Sequence, residues 1–195
     1  MQTSTAAKRY DMGLWILEKL AFRDLRRRIL PKAEGRVLEL GIGTGVNLSH
    51  YREVEFVAGI DIRTDLMKGI DPGRISQPVL SCCADAHALP FSGRSFDTVV
   101  STLVFCSVAE VEIALAEIRR ILKPGGRLLM MEHVRGRTGF SRRFTDWMHP
   151  IWFALQGECH LNRETESSLR EAGFLIRNAS THGRGIILVL EAEPV

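Results

Sequence analysis

Short apolar runs alternate with amphipathic segments through the first two thirds of the chain. Consecutive apolar residues predict strands at 36–40, 56–60, 78–82, 96–102 and 127–132. Apolar residues spaced three and four apart predict helices at 11–30 and 109–122. Further helices are predicted at 44–51, after a glycine-rich turn, at 64–71, which Pro72 and Gly73 end, and at 163–172, which Gly173 ends. Two further apolar runs, at 174–180 and 185–191, have no helix between them. We therefore expect an α/β, doubly wound, Rossmann-like sheet of seven strands, mainly parallel, with an antiparallel hairpin at one edge.

The 195 residues are enough for one domain and leave little room for a second. We divide residues 1–195 into an N-terminal helix and lid (1–35), a ligand-binding core (36–132), an acceptor lid (133–161) and a C-terminal helix with the strand hairpin (162–195). The connection at 134–161 is far longer than the usual link between helix and strand and is rich in aromatic residues. We expect it to be partly helical and to cover a ligand together with the segment around Tyr10.

Composition narrows the function classes. The net charge of +3 is too small to indicate a nucleic-acid partner. The four cysteines have neither zinc-ligand spacing nor the arrangement of a disulfide framework, so we expect no metal and a reducing, cytoplasmic compartment. No apolar run is long enough to span a bilayer, and the polar start does not read as a signal peptide. The sequence does not indicate an oligomeric state.

The basic helix at 11–30 has two interpretations. The favoured one is a helix packed on the sheet whose arginines face solvent. The alternative is a peripheral contact with an anionic membrane through this N-terminal helix.

A strand that ends in a glycine-rich turn organises the chain. Its last residues include Glu39, and the turn contains Gly41, Gly43 and Gly45. Glycine lets a backbone turn sharply and lets a ligand approach it closely. Asp61 ends the next apolar run, 20 positions after Gly41, where dinucleotide-type units place the acid that binds ribose hydroxyls. The turn is therefore a candidate nucleoside-binding site.

The turn differs from the NAD-binding form in two ways. The third glycine follows the second by two positions instead of three. Glu39 would repel a pyrophosphate but suits an ammonium group. S-adenosylmethionine (SAM) satisfies both points, and NAD remains a less favoured alternative. The run from Leu38 to Gly45 resembles the first motif of the class I SAM-dependent methyltransferases, whose product from the cofactor is S-adenosylhomocysteine.

Later segments extend this resemblance over most of residues 36–132. The segment 84–91 resembles the family's Asp-Ala-x-x-Leu-Pro-Phe motif, which implies that Asp85 and Ala86 contact the adenine. Ile62 would cover the adenine face, and Thr102 with Leu103 would line the methionine end. The segment 120–126 resembles the family's helix-to-strand turn, which marks the fold and not the site.

Segments in the second half of the chain indicate which molecule accepts the methyl group. The segments 103–108, 131–134, 149–152 and 157–164 resemble the methyltransferase-like thiol S-methyltransferases of animal endoplasmic reticulum and lipid droplets, and their soluble bacterial relatives. The resemblance covers about 36–173 and implies a small hydrophobic acceptor, with a thiol preferred. The animal proteins carry an N-terminal membrane anchor, which we do not expect in this chain. The chain also has His149 and His160 where they have Asp and Asn.

Other acceptors and another class of function remain open. Tyr10 and Asp11, before a helix, resemble the start of quinone-ring C-methyltransferases and imply a quinone or phenol acceptor. A phospholipid amine is a further alternative. A protein that binds SAM without catalysis is a hypothesis of a different class.

Four residues are candidates for the chemistry. His133 ends the fifth predicted strand, where strand ends face the ligand, and is the first choice for a general base. His149 and His160 are the next choices, and the resemblance to quinone-ring C-methyltransferases places Tyr10 near the acceptor. For each histidine a structural, hydrogen-bonded role is the alternative. We expect an apolar pocket for the acceptor, built by Phe105, Phe144, Trp147, Trp152 and Phe153.

Overall fold

The computed structural model describes residues 22–156, 160 and 162–195, with the side chains of Pro72 and 151–156 outside that description. The strands are β1 (Glu34–Leu40), β2 (Glu53–Asp61), β3 (Val79–Cys83), β4 (Phe96–Thr102), β5 (Leu122–His133), β6 (Phe174–His182) and β7 (Ile187–Pro194). The helices are α1 (Arg23–Ile29), α2 (Thr64–Met67), α3 (Val111–Ile121), α4 (Gly139–Gln156) and α5 (Thr165–Glu171). Short 3-10 turns cover Leu30–Lys32, Leu48–His50, Pro72–Arg74 and Gly183–Gly185.

The strands form one seven-stranded sheet in the order β3-β2-β1-β4-β5-β7-β6. Strands β1 to β5 pair in parallel, whereas β7 is antiparallel to both β5 and β6. The predicted fold class and the edge hairpin are therefore confirmed. The chain runs outward from β1 to β3 and then returns to the other side of β1. In sheets of this kind ligands bind at such a reversal, beyond the carboxyl ends of the strands.

The sheet buries apolar residues on both faces. One face packs against α3 and α5 through residues such as Ile118 and Leu169. The other packs against α1 through Leu25 and Ile29. Because α1 buries these side chains, its described part packs on the sheet as the favoured interpretation expects, but Arg26 is buried and does not face solvent. Residues 11–21 of the predicted helix lie outside the described residues.

The helix predicted at 44–51 is wrong. The glycine turn leads instead into turns and the 3-10 segment Leu48–His50. Gly45 has a φ of +76°, which lies in the left-handed region and is incompatible with the first turn of a right-handed α-helix. Leu48 and Tyr51 are core residues, but the left-handed backbone of the glycines prevents an α-helix from starting at Thr44.

The long connection after β5 contains α4, as expected of a partly helical segment. Among the described residues, no helix combines the length and the apolar character needed to cross a bilayer.

Candidate cofactor and acceptor site

The glycine turn follows β1 at the carboxyl edge of the sheet. Gly41, Gly43 and Gly45 all have positive φ, at +61°, +52° and +76°. A Cβ built on Gly43 would meet nothing nearer than the carbonyl oxygen of Gly41 at 4.0 Å, so this turn faces open space. A Cβ on Gly41 would instead lie 2.4 Å from Cγ2 of Val104. Gly43 therefore leaves room for a ligand, whereas Gly41 lets β1 approach the segment after β4.

Asp61 ends β2 beside this turn. Its Oδ2 accepts a hydrogen bond from the N–H of Gly43 (2.9 Å), and its Oδ1 accepts from the N–H of Arg63 (2.8 Å). Each carboxylate oxygen has a second acceptor position, so the group can still accept from two ribose hydroxyls. The contact with Gly43 places the acid and the turn on the same side of the candidate site, as the 20-residue spacing predicts.

Glu39 is buried beneath the turn. Its Oε1 accepts a hydrogen bond from Asn47 Nδ2 (2.9 Å), and its Oε2 accepts from the hydroxyl of Tyr51 (2.7 Å). Burial raises the pKa of Glu39 to about 7, against the opposing effect of these two hydrogen bonds. The carboxyl is thus poised between its neutral and charged forms near neutral pH. An approaching cation would favour the charged form.

Arg26 of α1 reaches the same network. It is buried, and its Nη1 donates to Asn47 Oδ1 and to Thr102 Oγ1 (3.0 Å). Asn47 Nδ2 also donates to Thr102 Oγ1 (3.0 Å). The end of β1, the glycine turn, the end of β4 and α1 are therefore joined by one buried polar network around Glu39.

The loop after β3 holds Asp85 against the start of α3. Asp85 Oδ1 accepts from the N–H of His87 (2.9 Å) and lies 2.5 Å from His87 Nδ1. His87 Nε2 accepts from the N–H of Glu110 (3.2 Å), so in neutral His87 the ring proton lies on Nδ1 and points to Asp85. The hydrogen bond from the backbone N–H of His87 is the main cause that holds the pKa of Asp85 below its usual range. Among the described residues Asp85 Oδ2 accepts no hydrogen bond, so it is available to a ligand.

Two other adenine candidates lie near this loop and β2. Ile62 is exposed directly after Asp61, as a residue that covers an adenine face would be. Ala86 is partly buried and packs against the core. The same loop is clamped to α3, because Glu117 Oε2 accepts from the N–H of Leu89 (2.8 Å).

The segment after β4 has a strained backbone. Leu103 has a φ of +60°, which is uncommon for a residue other than glycine, asparagine or aspartate, and its N–H donates to the Met131 carbonyl (2.8 Å). The buried Glu132 carboxyl supports this segment: its Oε1 accepts from Ser101 Oγ (2.7 Å) and from the N–H of Val104 (3.1 Å). Burial raises the pKa of Glu132. The end of β5 thereby fixes the turn that follows β4.

The candidate catalytic histidines lie in two separate environments. His133 ends β5, and its ring packs edge-on against Phe22 with centroids 5.9 Å apart. His133 Nδ1 is buried without a hydrogen-bond partner among the described residues. His149 of α4 packs against His160, with ring centroids 5.2 Å apart. The backbone N–H of His160 donates to the Cys106 carbonyl (2.7 Å), so this pair lies against the segment after β4. Tyr10 lies outside the described residues.

The prediction that five aromatic residues build an apolar pocket is wrong for two of them. Phe144 and Trp147 lie on the outer side of α4 and are exposed. Phe105 is buried in the core. Trp152 and Phe153 lie outside the described side chains. The side of α4 turned to the protein carries Ser141 and Thr145, both buried.

Several residues of the site were missed by the sequence analysis. Arg26, Asn47 and Tyr51 belong to the network around Glu39, and Glu132 and His87 support the two neighbouring loops. Four of these residues could have been found from their place in the sequence. Asn47 and Tyr51 closely follow the glycine turn, and Glu132 and His87 are next to residues that had already been selected. No spacing indicated Arg26, which lies 13 positions before Glu39 on another element.

Comparison with known sequences finds related methyltransferases. Residues 38–130 match a family described as a methyltransferase domain. The chain is 33% identical to the human thiol S-methyltransferase TMT1A over 161 residues, 78% of this chain and 65% of that protein. It is 30% identical to a demethylmenaquinone methyltransferase of Roseiflexus castenholzii over 122 residues, 61% of this chain and 51% of that protein. The chain thus spans less than two thirds of the length of these relatives.

Solved structures share the fold. An S-adenosylmethionine-dependent methyltransferase from Mesorhizobium loti superimposes with a TM-score of 0.69 at 18% identity, over 90% of this chain and 99% of that one. At this identity the match concerns the arrangement of the sheet and helices alone.

Proposed function

Because this chain belongs to the class I SAM-dependent methyltransferases, we propose that it transfers a methyl group from SAM to a small hydrophobic acceptor, preferably a thiol. The observation that carries the proposal is the convergence, at one sheet edge, of the open turn at Gly43, the Asp61 carboxylate bonded to it and the buried Glu39. The preference for a thiol is supported by the similarity to thiol S-methyltransferases.

The residues at this edge of the sheet each bind a different part of the cofactor. Asp61 accepts from the ribose hydroxyls, and Asp85 Oδ2 accepts from the adenine amino group. Glu39 faces the ammonium group at the methionine end, next to Thr102. When bound, SAM supplies a methyl group made electrophilic by its sulfonium sulfur. Fixing the two reactants in line can contribute roughly 7–11 kcal/mol toward lowering the barrier.

On the acceptor side, we assign to His133 the removal of the thiol proton. A free thiol has a pKa of about 8.5, so a nearby base increases the thiolate fraction at neutral pH. The thiol proton passes to the imidazole, the thiolate sulfur forms the new bond to the methyl carbon, and the bonding pair of the old bond stays on the departing sulfur. The Phe22 ring against His133 keeps one side of the imidazole apolar.

The test is methyl transfer from labelled SAM to a panel of acceptors. The panel contains sulfide, alkyl thiols, catechols, quinols and phosphatidylethanolamine. The proposal expects labelled methyl thioethers and S-adenosylhomocysteine with the apolar thiols. Turnover of quinols or of phosphatidylethanolamine without turnover of thiols would contradict the thiol preference. SAM binding without turnover of any acceptor would favour a non-catalytic SAM-binding protein.

A His133→Ala variant tests the proton transfer. Loss of a general base should lower turnover by about 10²–10⁴-fold while SAM affinity stays unchanged. Raising the pH should restore part of the activity toward thiols, because hydroxide then supplies the thiolate. His182→Ala, at the end of β6, is the matched control and should retain activity. Full activity of His133→Ala at neutral pH would exclude the base assignment, and equal losses of binding and turnover would place His133 in the cofactor site.

A further inference from the structure

A histidine side chain links the loop after β3 to the start of helix α3. His87 lies two positions after Asp85, and both of its ring nitrogens are engaged. Nε2 accepts a hydrogen bond from the N–H of Glu110, the residue before α3, at 3.2 Å. In neutral His87 the ring proton is therefore on Nδ1, which lies 2.5 Å from Asp85 Oδ1. One imidazole thus connects the backbone at the start of α3 with the Asp85 carboxylate.

Asp85 Oδ1 receives a second hydrogen bond, because the backbone N–H of His87 donates to it at 2.9 Å. Two donors therefore converge on this one oxygen, whereas no residue in the described part of the chain donates to Oδ2. The Asp85 side chain is 58% exposed, so Oδ2 is open to a ligand. The last torsion of an aspartate side chain has a broad minimum, so one hydrogen bond holds its orientation loosely and a second restricts it.

The loop does not depend on His87 for its attachment to α3. Glu117 Oε2 accepts from the N–H of Leu89 at 2.8 Å, and Arg120 Nη2 donates to the carbonyl of the same residue at 3.0 Å. Arg120 Nε also donates to Glu117 Oε1 at 2.7 Å, which fixes both side chains on the helix. These bonds hold the loop without the imidazole. The contact that only the imidazole supplies is the one to Asp85.

We propose that His87 is a positioning residue that sets the preference of the cofactor site for a 6-aminopurine. It acts through Asp85, whose Oδ1 is occupied by the two donors of His87 and whose Oδ2 faces the ligand as a pure acceptor. An amino group at position 6 of the purine donates to this oxygen. The carbonyl oxygen of a 6-oxopurine, such as hypoxanthine, meets it as a second acceptor.

The charge of Asp85 favours the same discrimination. The hydrogen bond from the backbone N–H of His87 is the main cause that holds the pKa of Asp85 below its usual range, so the carboxyl is charged at neutral pH. A charged acceptor binds an amino donor more strongly than a neutral acceptor does, and it repels a carbonyl oxygen. This inference rests on the contact between Asp85 and adenine in the proposed function, and it adds a specificity role for His87.

The experiment compares two ligands that differ at position 6 of the purine. They are S-adenosylhomocysteine and S-inosylhomocysteine, in which oxygen replaces the amino group. Calorimetry with the full chain measures both affinities and needs no methyl acceptor. Two variants separate the two bonds of the imidazole. In His87→Asn the amide nitrogen takes the place of Nδ1 and can donate to Asp85, whereas in His87→Gln the amide oxygen takes the place of Nε2 and can accept from Glu110.

The wild-type chain should bind S-adenosylhomocysteine about tenfold to a hundredfold more tightly than S-inosylhomocysteine, since the latter lacks the donor to a charged oxygen. His87→Gln should reduce this preference by about fivefold, the effect of one net hydrogen bond, mainly through weaker binding of S-adenosylhomocysteine. His87→Asn should keep the preference to within about twofold, because it retains that bond. The matched control is His182→Gln at the end of β6, which should bind both ligands as the wild type does.

Asp85→Asn gives an independent readout of the same orientation. With His87 intact, both donors hold the amide oxygen, so the amide nitrogen takes the place of Oδ2 and donates to the ligand. The preference should therefore reverse in favour of S-inosylhomocysteine. A change in the stability of the loop alone would weaken both ligands and would not reverse their order. Circular dichroism shows whether each variant is folded.

Two results would overturn the role of His87 and leave the proposed function intact. The first is an unchanged preference in His87→Gln, which would mean that the backbone N–H alone orients Asp85. The second is an equal loss of preference in His87→Asn and His87→Gln, which would mean that His87 acts by attaching the loop to α3.

Two other results would also overturn the cofactor assignment on which the inference rests. A wild-type chain that binds the two ligands equally, or an Asp85→Asn variant that keeps the wild-type order, would remove Asp85 from the contact with position 6 of the purine. A folded wild-type chain that binds neither ligand would contradict the cofactor site as a whole.

Discussion

The Glu39 carboxyl is the single group whose ionisation most directly reports on the candidate cofactor site. It lies buried between Asn47 and Tyr51, and burial raises its pKa to about 7. A bound ammonium group would favour the carboxylate and lower that pKa. Binding of the cofactor should therefore release a proton when the free protein carries neutral Glu39, and release none when Glu39 is already charged.

The expected result is a pH-dependent affinity for SAM. The affinity should rise by up to about tenfold per pH unit below the Glu39 pKa and level off about one unit above it. Calorimetry at a series of pH values, in buffers with different ionisation enthalpies, measures both the affinity and the released proton. Glu39→Gln is the control, because an amide does not ionise and should flatten the profile. A flat profile in the wild-type chain would contradict contact between Glu39 and the ammonium group.

Asp61 provides a second prediction for a single residue. Replacement by alanine removes a carboxylate placed to receive two ribose hydroxyls. Hydrogen bonds to a charged group contribute about 1.5–3 kcal/mol, so SAM affinity should fall by roughly tenfold to a hundredfold. Asp65→Ala is the matched control, because Asp65 lies four positions after Asp61 and pairs with Arg63 at the surface. Calorimetry that finds equal affinities for wild type and a folded Asp61→Ala would remove Asp61 from the site.

At the scale of elements, α1 is joined to the glycine turn by a buried guanidinium. Arg26 donates to Asn47 and Thr102, which lie at the turn and at the end of β4. Leucine and isoleucine side chains of α1 pack on the sheet around it. The helix therefore does more than cover the sheet, because it holds the polar residues beneath the turn.

Arg26→Met should lower the free energy of unfolding by about 3 kcal/mol, because the polar partners of the guanidinium would stay buried without it. Arg28→Met, an exposed position on the same helix, should change it by no more than about 0.5 kcal/mol. Urea denaturation followed by circular dichroism measures both. Equal effects of the two substitutions would mean that the network around Arg26 does not stabilise the fold.

The helices and strands also show how much of the secondary structure could be predicted from the sequence. The fourth strand was predicted at 96–102, and β4 spans Phe96–Thr102, because buried strands on both faces give continuous apolar runs. The helix at 44–51 is wrong, because a helix was expected directly after the glycine turn, whereas the positive φ at Gly45 continues the turn. The aromatic residues of α4 suggested an inward face. Their orientation depends instead on contacts of Thr145 with Gly136 and of Asp146 with Arg135, which the spacing of the aromatic residues does not encode.

Within the site, residues that follow strands were predictable and residues that support them were not. Asp61 and Asp85 could be selected because the carboxyl ends of parallel strands meet at one edge of a sheet. Arg26 could not, because its contact with Thr102 joins residues 76 positions apart. The role of His87 could be seen only from the observed hydrogen bond of the Glu110 N–H to Nε2, which leaves the ring proton of neutral His87 on Nδ1, facing Asp85.

At the scale of the whole molecule, one sheet edge gathers the candidate cofactor residues from four separate segments. The reversal of strand order beside β1 places the glycine turn between β2, with Asp61, and β4, with Thr102. The loop after β3 adds Asp85, and the loop after β4 is fixed by Glu132. The central claim is that SAM binds across this edge, over the turn at Gly43.

Calorimetric titration of SAM into the wild-type chain and into Gly43→Val tests that claim most directly. The valine side chain would enter the open space above the turn, at a backbone φ of +52° that a β-branched residue rarely adopts. The account predicts saturable binding at one site in the wild type and none in a Gly43→Val variant whose circular dichroism is native-like. Equal SAM affinity in the two proteins, or no binding by the folded wild-type chain, would contradict it.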